Sequence, residues 1–303
     1  MAGEGPPAIP SGAPPAPIGT AIDPNQHLAI EVMLDSQGPF RFVVDTGADR
    51  SVLAEDVAGA LGLATGHHVL VEGIIRTIPA VTVPVRSMTF GAVERRNLDL
   101  PVLPRALLGA DGYLGLDVIG EHRVTFDFDR HDLTIEESHL ELSAGETQAI
   151  IDNKGTAQRS TIHAVGSYGH LKSFQCDVDG VASAAFLDSG AQVTIGNSRL
   201  ARELRDRNSQ LIELGTVPIT GVTGGQVMGE VVSIEKIRLA DISFKAKVMV
   251  IADLAVFETW SLADRPALML GMNYLSRFSK VTIDYALRQF HFELADLERT
   301  LRA

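Results

Sequence analysis

Cysteine is all but missing. Cys176 is the one residue of its kind among 303, so no disulfide forms within the chain and the fold rests on its apolar core. Cys176 itself reads as an inert, half-buried strand residue rather than a reactive thiol. Long apolar runs are missing too: none approaches the roughly 20 residues that a membrane-spanning helix needs. Basic charge is scarce, with 26 Lys and Arg against 38 Asp and Glu and a net charge of -12. The cations are dispersed and form no stripe along a phosphate backbone or an anionic membrane, which argues against nucleic acid as a partner.

What is present is the balance of a soluble globular protein, 45% hydrophobic and 21% charged. The length suits one large domain or two of ordinary size, either with a real core. Met1 to Gly19 is rich in Pro, Ala and Gly and has neither a basic start nor a hydrophobic stretch, so it is not read as a signal peptide. The segment 1–24 is expected to be a flexible, PPII-like tether. Tethers of this kind often follow a removed export signal or a membrane anchor. A chain trimmed in that way would be periplasmic or secreted, and otherwise cytoplasmic.

The chain repeats itself. Phe40 to Leu53 and Ala184 to Ile195 each run from an apolar strand into Asp-(Thr/Ser)-Gly-Ala and back into apolar residues, giving Asp45-Thr46-Gly47 and Asp188-Ser189-Gly190. Upstream, Leu28 to Leu34 and Leu171 to Val178 are strand-like and turn at Asp35-Ser36-Gln37-Gly38 and Asp179-Gly180, which predicts a hairpin into each motif strand. Downstream, a helical stretch (Glu55 to Leu61; Ser198 to Asp206) precedes a β-rich region (Val69 to Val102; Val217 to Val250). Each copy closes on apolar residues around a glycine, Tyr113 to Ile119 and Met269 to Leu275, and then a last pair of strands. The triplets lie 143 residues apart and the closing glycines, Gly115 and Gly271, lie 156 apart, so copy two carries 13 extra residues, which are expected in surface loops. The predicted organisation is a tether 1–24, a first unit 25–142, a link 143–159, a second unit 160–295 and a tail 296–303.

A single Asp-(Thr/Ser)-Gly carries little weight, because with glycine near 7% of residues it arises by chance in about one such chain in seven. Two copies in matching surroundings carry much more, against the plainer reading of two strand-to-turn junctions. Amide hydrolysis without a metal or a covalent nucleophile needs a base to activate water and an acid to protonate oxygen and nitrogen. Two carboxyl groups a few ångströms apart supply both, since like charges that close share one proton. Asp45 and Asp188 are therefore the candidate catalytic pair, with roles that exchange as the proton moves. Gly47 and Gly190 allow a sharp turn and close approach, and the Thr46 and Ser189 hydroxyls can bond the opposite strand.

On these residues the chain resembles the retropepsin-like aspartic proteases: Val-Val-Asp-Thr-Gly-Ala-Asp is similar to that family's active-site loop, and Gly-Tyr-Leu-Gly-Leu-Asp-Val-Ile to its closing segment. The resemblance covers about residues 25–140 and 160–295. It implies a mostly β fold of two closed, antiparallel, barrel-like lobes related by a pseudo-twofold axis, with a cleft between them for an extended peptide or protein segment. Retropepsins build the site from two identical chains, whereas this chain carries both halves, as pepsin-like enzymes do. A monomer is thus expected, and a homodimer with sites between chains and a binding module without turnover are the alternatives. No cofactor and no metal are implied.

The resemblance further implies a hairpin flap over the cleft. Gly221-Val222-Thr223-Gly224-Gly225 is the better candidate, with glycines that permit hinge motion; in copy one the counterpart is near Val71-Glu72-Gly73-Ile74. An ordinary hairpin turn is the other reading of both. Asp49 stands where retropepsins place an acid that contacts substrate main chain, with Gln192 in copy two; a solvated surface charge is the alternative for Asp49. His67-His68 point to opposite faces of a strand and complete no metal set. Asp127-Phe128-Asp129 falls in a strand-turn, and Thr223-Gly224-Gly225 lacks the Lys-(Ser/Thr) and helix of a phosphate loop.

Overall fold

The alternation in Leu-Ala-Ile-Glu-Val-Met-Leu makes residues Leu28–Leu34 a strand with its apolar side chains buried. The chain turns and returns as Gln37–Val44, with Ala29 opposite Val43 and Val32 opposite Phe40. Asp35 and Ser36 make the turn at positive φ, 48° and 65°. The Asp35 carboxylate accepts the Ser87 amide at 2.8 Å and so ties the hairpin to the long strand Thr77–Phe90. The second repeat does the same with other residues. Leu171–Val178 and Val181–Leu187 pair with Phe174 opposite Ala185, and Asp179 in their turn accepts the amides of Glu235 and Lys236 at 2.9 and 2.8 Å.

The computed structural model describes residues 17–22, 27–138, 158–168, 171–207 and 211–294. Most of the expected tether, the expected link up to residue 157 and the whole of the expected tail lie outside them. Two short strands, Ile18–Gly19 and Ala21–Ile22, fall inside the segment 1–24 that was expected to be flexible. They form because open sheet edges are at hand: Ile18 pairs with Leu133 and Ala21 with Ala29. Gln158 and Arg159, the last two residues of the expected link, open a further strand, Gln158–His163.

The fold is mostly β and two-lobed. One sheet of eight strands is drawn from residues 21–114 and another of ten strands from residues 166–270. Most pairings are antiparallel, but the motif strand lies parallel to the closing strand in both lobes, Val43 beside Tyr113 and Phe186 beside Met269. Each triplet is thereby seated next to its own closing glycine. The helices that follow are unequal, Glu55–Ala60 and Ser198–Arg207. The longer one is capped by Asn197, whose side-chain oxygen accepts the Leu200 amide at 2.9 Å, whereas Ala54 offers the shorter one no side-chain cap.

A third sheet of six strands belongs to both halves. Strand His122–Asp127 lies antiparallel to Lys280–Asp284, and Thr125 faces Thr282 with their hydroxyls 2.9 Å apart. Val124 opposite Ile283 and Phe126 opposite Val281 flank this pair. These are equivalent positions of the two repeats, so the pseudo-twofold axis passes through the threonine pair. The second lobe is anchored to the sheet by aromatic side chains: Phe174 sits 4.8 Å from Phe290 and 5.9 Å from Phe292, and Phe292 lies 5.1 Å from Phe278.

The extra residues of copy two are not all in surface loops. Ile251 to Gly271 spans 20 positions where Leu103 to Gly115 spans 12. The added length carries the helix Ala255–Thr259, whose Val256 and Phe257 are buried, and Trp260, edge-on to Phe186 at 4.3 Å. The chain lengthened where it could cover apolar surface behind the motif strand.

Truncating the aromatic anchor tests its weight. Phe292→Ala is expected to lower the unfolding free energy by about 3–5 kcal/mol, read by chemical denaturation. A loss below about 1 kcal/mol would mean that the lobe is held to the sheet by other contacts.

Candidate active site

Asp45 and Asp188 each stand one residue past the end of a motif strand, and the closing strand fixes both backbones. The Asp45 amide donates to the Leu114 carbonyl at 3.0 Å and the Asp188 amide to the Leu270 carbonyl at 3.1 Å. The next residues cross between lobes. Thr46 Oγ1 donates to the Leu187 carbonyl at 3.0 Å and accepts the Ser189 amide at 3.0 Å. Ser189 Oγ donates to the Val44 carbonyl at 2.7 Å and accepts the Thr46 amide at 3.1 Å. Both hydroxyls are buried, so four bonds join the loops with no water competing for them.

Glycine is required next, because each carboxyl group sits over the other repeat's glycine. A Cβ on Gly47 would lie 2.6 Å from Asp188 Cγ, and one on Gly190 would lie 2.6 Å from Asp45 Cγ. The Gly47 amide donates to Asp45 Oδ1 and the Gly190 amide to Asp188 Oδ1, both at 2.9 Å. The two carboxyl groups are buried side by side, each over the other repeat's glycine and each acting on the other. Burial pushes both above the ordinary carboxyl range. Asp188 is pushed further, by burial first and then by the charge of Asp45, whereas on Asp45 the amide of Gly47 is the largest of several opposing influences. Two such groups can hold one proton between them and both give and take it near a bound carbonyl.

The structure also brings together the two hairpin tips. In copy one the strands His68–Glu72 and Thr77–Phe90 leave residues Gly73 to Arg76 at the tip, so Val71 and Glu72 belong to a strand instead. In copy two the tip is Gly221 to Gly225, between Glu213–Thr220 and Gln226–Ser233. The tips clasp each other: Arg76 Nε donates to the Thr223 carbonyl at 2.9 Å, and Thr223 Oγ1 donates to the Arg76 carbonyl at 2.8 Å. Thr223 is fully buried and Val222 packs against the core. Gly224 and Gly225 turn at φ of 74° and 84°, beside the Arg76 side chain. As with the threonine pair and the two triplets, a contact between equivalent segments has to lie on the pseudo-twofold axis.

Asp49 is exposed and Gln192 is exposed at the matching place. The Asp49 carbonyl accepts the Asp117 amide at 3.0 Å, and its carboxylate acts on Lys172 of the other lobe, whose ammonium is pulled down by burial and by Arg288 while Asp49 opposes the change. Outside this centre, His67 turns to Asp99 at 3.2 Å, and Asp127 accepts the Arg130 amide and faces Lys280.

Sequence reasoning passed over the braces behind the loops. Asp117 Oδ1 accepts both the amide and the hydroxyl of Ser51, at 2.8 and 2.7 Å, and Asn273 Oδ1 does the same for Thr194, at 2.9 Å each. The two hydroxyls in turn accept the Gly115 and Gly271 amides. The signal was in the repeat: a hydroxyl six residues after each aspartate, and Asp or Asn two residues after each closing glycine. Arg76 was missed as well, since nothing in its neighbourhood separates it from a surface cation.

A family model described as aspartyl protease matches residues 30–118 and 174–274, one match on each repeat. Among curated proteins none matches the chain.

The buried pair makes stability depend on pH. With the folded-state value of Asp188 raised, its contribution to stability is whole below about pH 4, where the unfolded chain is also protonated, and is lost as pH rises towards the folded value. The slope is about 1.4 kcal/mol per pH unit for one such group. Asp188→Asn cannot ionise, so urea unfolding is expected to show the variant gaining on the wild type steadily from pH 4 upward. Parallel curves for the two proteins would contradict the raised value.

Proposed function

Because the chain belongs to the aspartyl protease family, we propose that it is an aspartic endopeptidase whose site is complete within one polypeptide, with Asp45 and Asp188 as the catalytic pair. The observation that carries this reading is the reciprocal seating of each carboxyl group over the glycine of the other triplet, which makes one proton-sharing centre from two halves of one chain. Thr46 and Ser189 hold the loops, and Gly47 and Gly190 leave the space.

In the proposed reaction a water lies between the carboxyl groups. The carboxylate takes one of its protons as the water oxygen bonds to the substrate carbonyl carbon, and the protonated partner gives its proton to the carbonyl oxygen, producing a neutral tetrahedral diol. The newly protonated carboxyl then gives its proton to the departing nitrogen while the other takes a hydroxyl proton back. The C–N bond breaks, and the pair returns with one proton. Raised carboxyl values keep that one proton on the pair well above the pH at which an isolated Asp would have lost it.

The two hairpins serve in this reading as a double flap. A peptide in extended form adds as a strand beneath them, and Gly221, Val222, Thr223, Gly224 and Gly225 contact it from one side. Asp49 binds substrate main chain at one end of the cleft, and Gln192 makes the other end unlike it. Such a cleft has a direction, which suits a site made by unlike halves in one chain.

The test is cleavage of an unfolded protein between pH 3 and 8 by the wild type, Asp45→Asn and Asp188→Asn at matched concentration. Cleavage by the wild type that resists chelators, is blocked by a statine-type mimic and falls at least about 10³-fold in both variants is the expected result. Full activity in either variant would sink the shared centre. The clasp is tested separately: Arg76→Ala combined with Thr223→Val is expected to raise KM roughly tenfold, equivalent to about 1.4 kcal/mol of lost closure, with the pH profile unmoved. An unchanged KM would mean that the tips do not cover bound peptide.

A further inference from the structure

The two halves of the dyad are not equivalent in what lies beside them. In the first lobe the antiparallel register runs Ala29 opposite Val43. Continued two pairs along, it sets His27 opposite Asp45. Residues two apart on a strand share a face, so His27 follows Ala29, and Asp45 follows Val43, onto one side of the sheet. The ring contact agrees with this placement: His27 is buried at 6% exposure and meets Tyr113 edge-on at 6.4 Å, and Tyr113 is the neighbour of Val43 on the parallel closing strand. In the second lobe Phe174 lies opposite Ala185, and the same continuation sets Leu171 opposite Asp188. Leu171 is a buried aliphatic side chain and brings no charge.

We propose that His27 is a positioning residue of the dyad: its imidazolium, held on the sheet face of Asp45, keeps the negative charge on Asp45 and leaves the shared proton on Asp188. This rests on the aspartic peptidase reading above and adds to it an order of roles. In the first step Asp45 takes the proton from water as the water oxygen bonds to the carbonyl carbon, and Asp188 gives its proton to the carbonyl oxygen as the C=O π bond opens. The electrostatics run the same way: the charge of His27 pulls Asp45 down, while burial and the charge of Asp45 push Asp188 well up.

The other groups around the pair do not duplicate this effect. Tyr113 gives its hydroxyl to the Leu108 carbonyl at 3.3 Å. Tyr285, at the end of Lys280–Asp284, is held neutral by burial and by the charge of Asp45. Ala21 and Ile22, on the strand paired with Leu28–Leu34, carry no titratable group.

The experiment is the pH dependence of kcat/KM for the full chain with His27→Gln and His27→Arg, together with a 13C carboxyl titration of Asp45 in the Asp188→Asn background with and without His27→Gln. Loss of the cation is expected to move the acid limb upward by about one pH unit, with His27→Arg keeping it near the wild-type position. The Asp45 carbon titration is expected to shift by about the same amount, in a protein that need not turn over. An unmoved limb and an unmoved titration overturn the role of His27, while silence of Asp45→Asn and Asp188→Asn in the same assay shows the dyad itself intact. Should His27→Gln fail to fold, His27→Asn is read in the same two measurements: an unmoved limb and an unmoved Asp45 titration overturn the proposal, and an upward shift of both supports it.

Discussion

Two carboxyl groups stripped of water and pressed together repel, and the loops that carry them would part if nothing tied them. The reciprocal bonds between Thr46 and Ser189 are that tie. They run from side chain to backbone across the two halves, so neither loop has a complete set of partners without the other. The braces at Ser51–Asp117 and Thr194–Asn273 hold each loop to its own closing strand, and the threonine pair of the shared sheet holds the same axis from another level.

Symmetry governs the parts that hold, and asymmetry collects in the parts around them. The hydroxyl bonds, the glycine seats and the braces repeat almost atom for atom. The hairpin tips do not: one offers Arg76 and the other Thr223 and two left-handed glycines. The strand register, carried on, sets His27 opposite Asp45 and Leu171 opposite Asp188. Asp49 is matched by Gln192. A scaffold that depends on two equal halves meeting tolerates little drift at the join, whereas the surfaces around the join are free to differ.

Local pattern told much of this in advance. The alternation in Leu28–Leu34 and in Leu171–Val178, the turns at Asp35 and Asp179 and the helices after each triplet lie where the periodicity puts them. The triplets stood out because they came twice. What pattern cannot carry is pairing over distance. Val-Thr-Phe-Asp and Val-Thr-Ile-Asp declare two similar strands, but not that Thr125 meets Thr282. The 13 extra residues looked like loop because they lack a period, yet Phe257 and Trp260 bury against Phe186, a contact set by tertiary shape. His27 escaped notice because it precedes its strand by one position, and only the register brings it round to Asp45.

The threonine pair on the axis has a consequence for how such a protein can change over generations. Where two identical chains meet, each mutation is expressed twice, and a residue at the twofold axis confronts its own copy. Here Thr125 and Thr282 are encoded separately, as are Arg76 and Thr223. A single codon change therefore alters one side of the join and leaves the opposite side as it was. Selection can alter one half while the other keeps its old form, a path closed to two identical chains, which must change both halves at once.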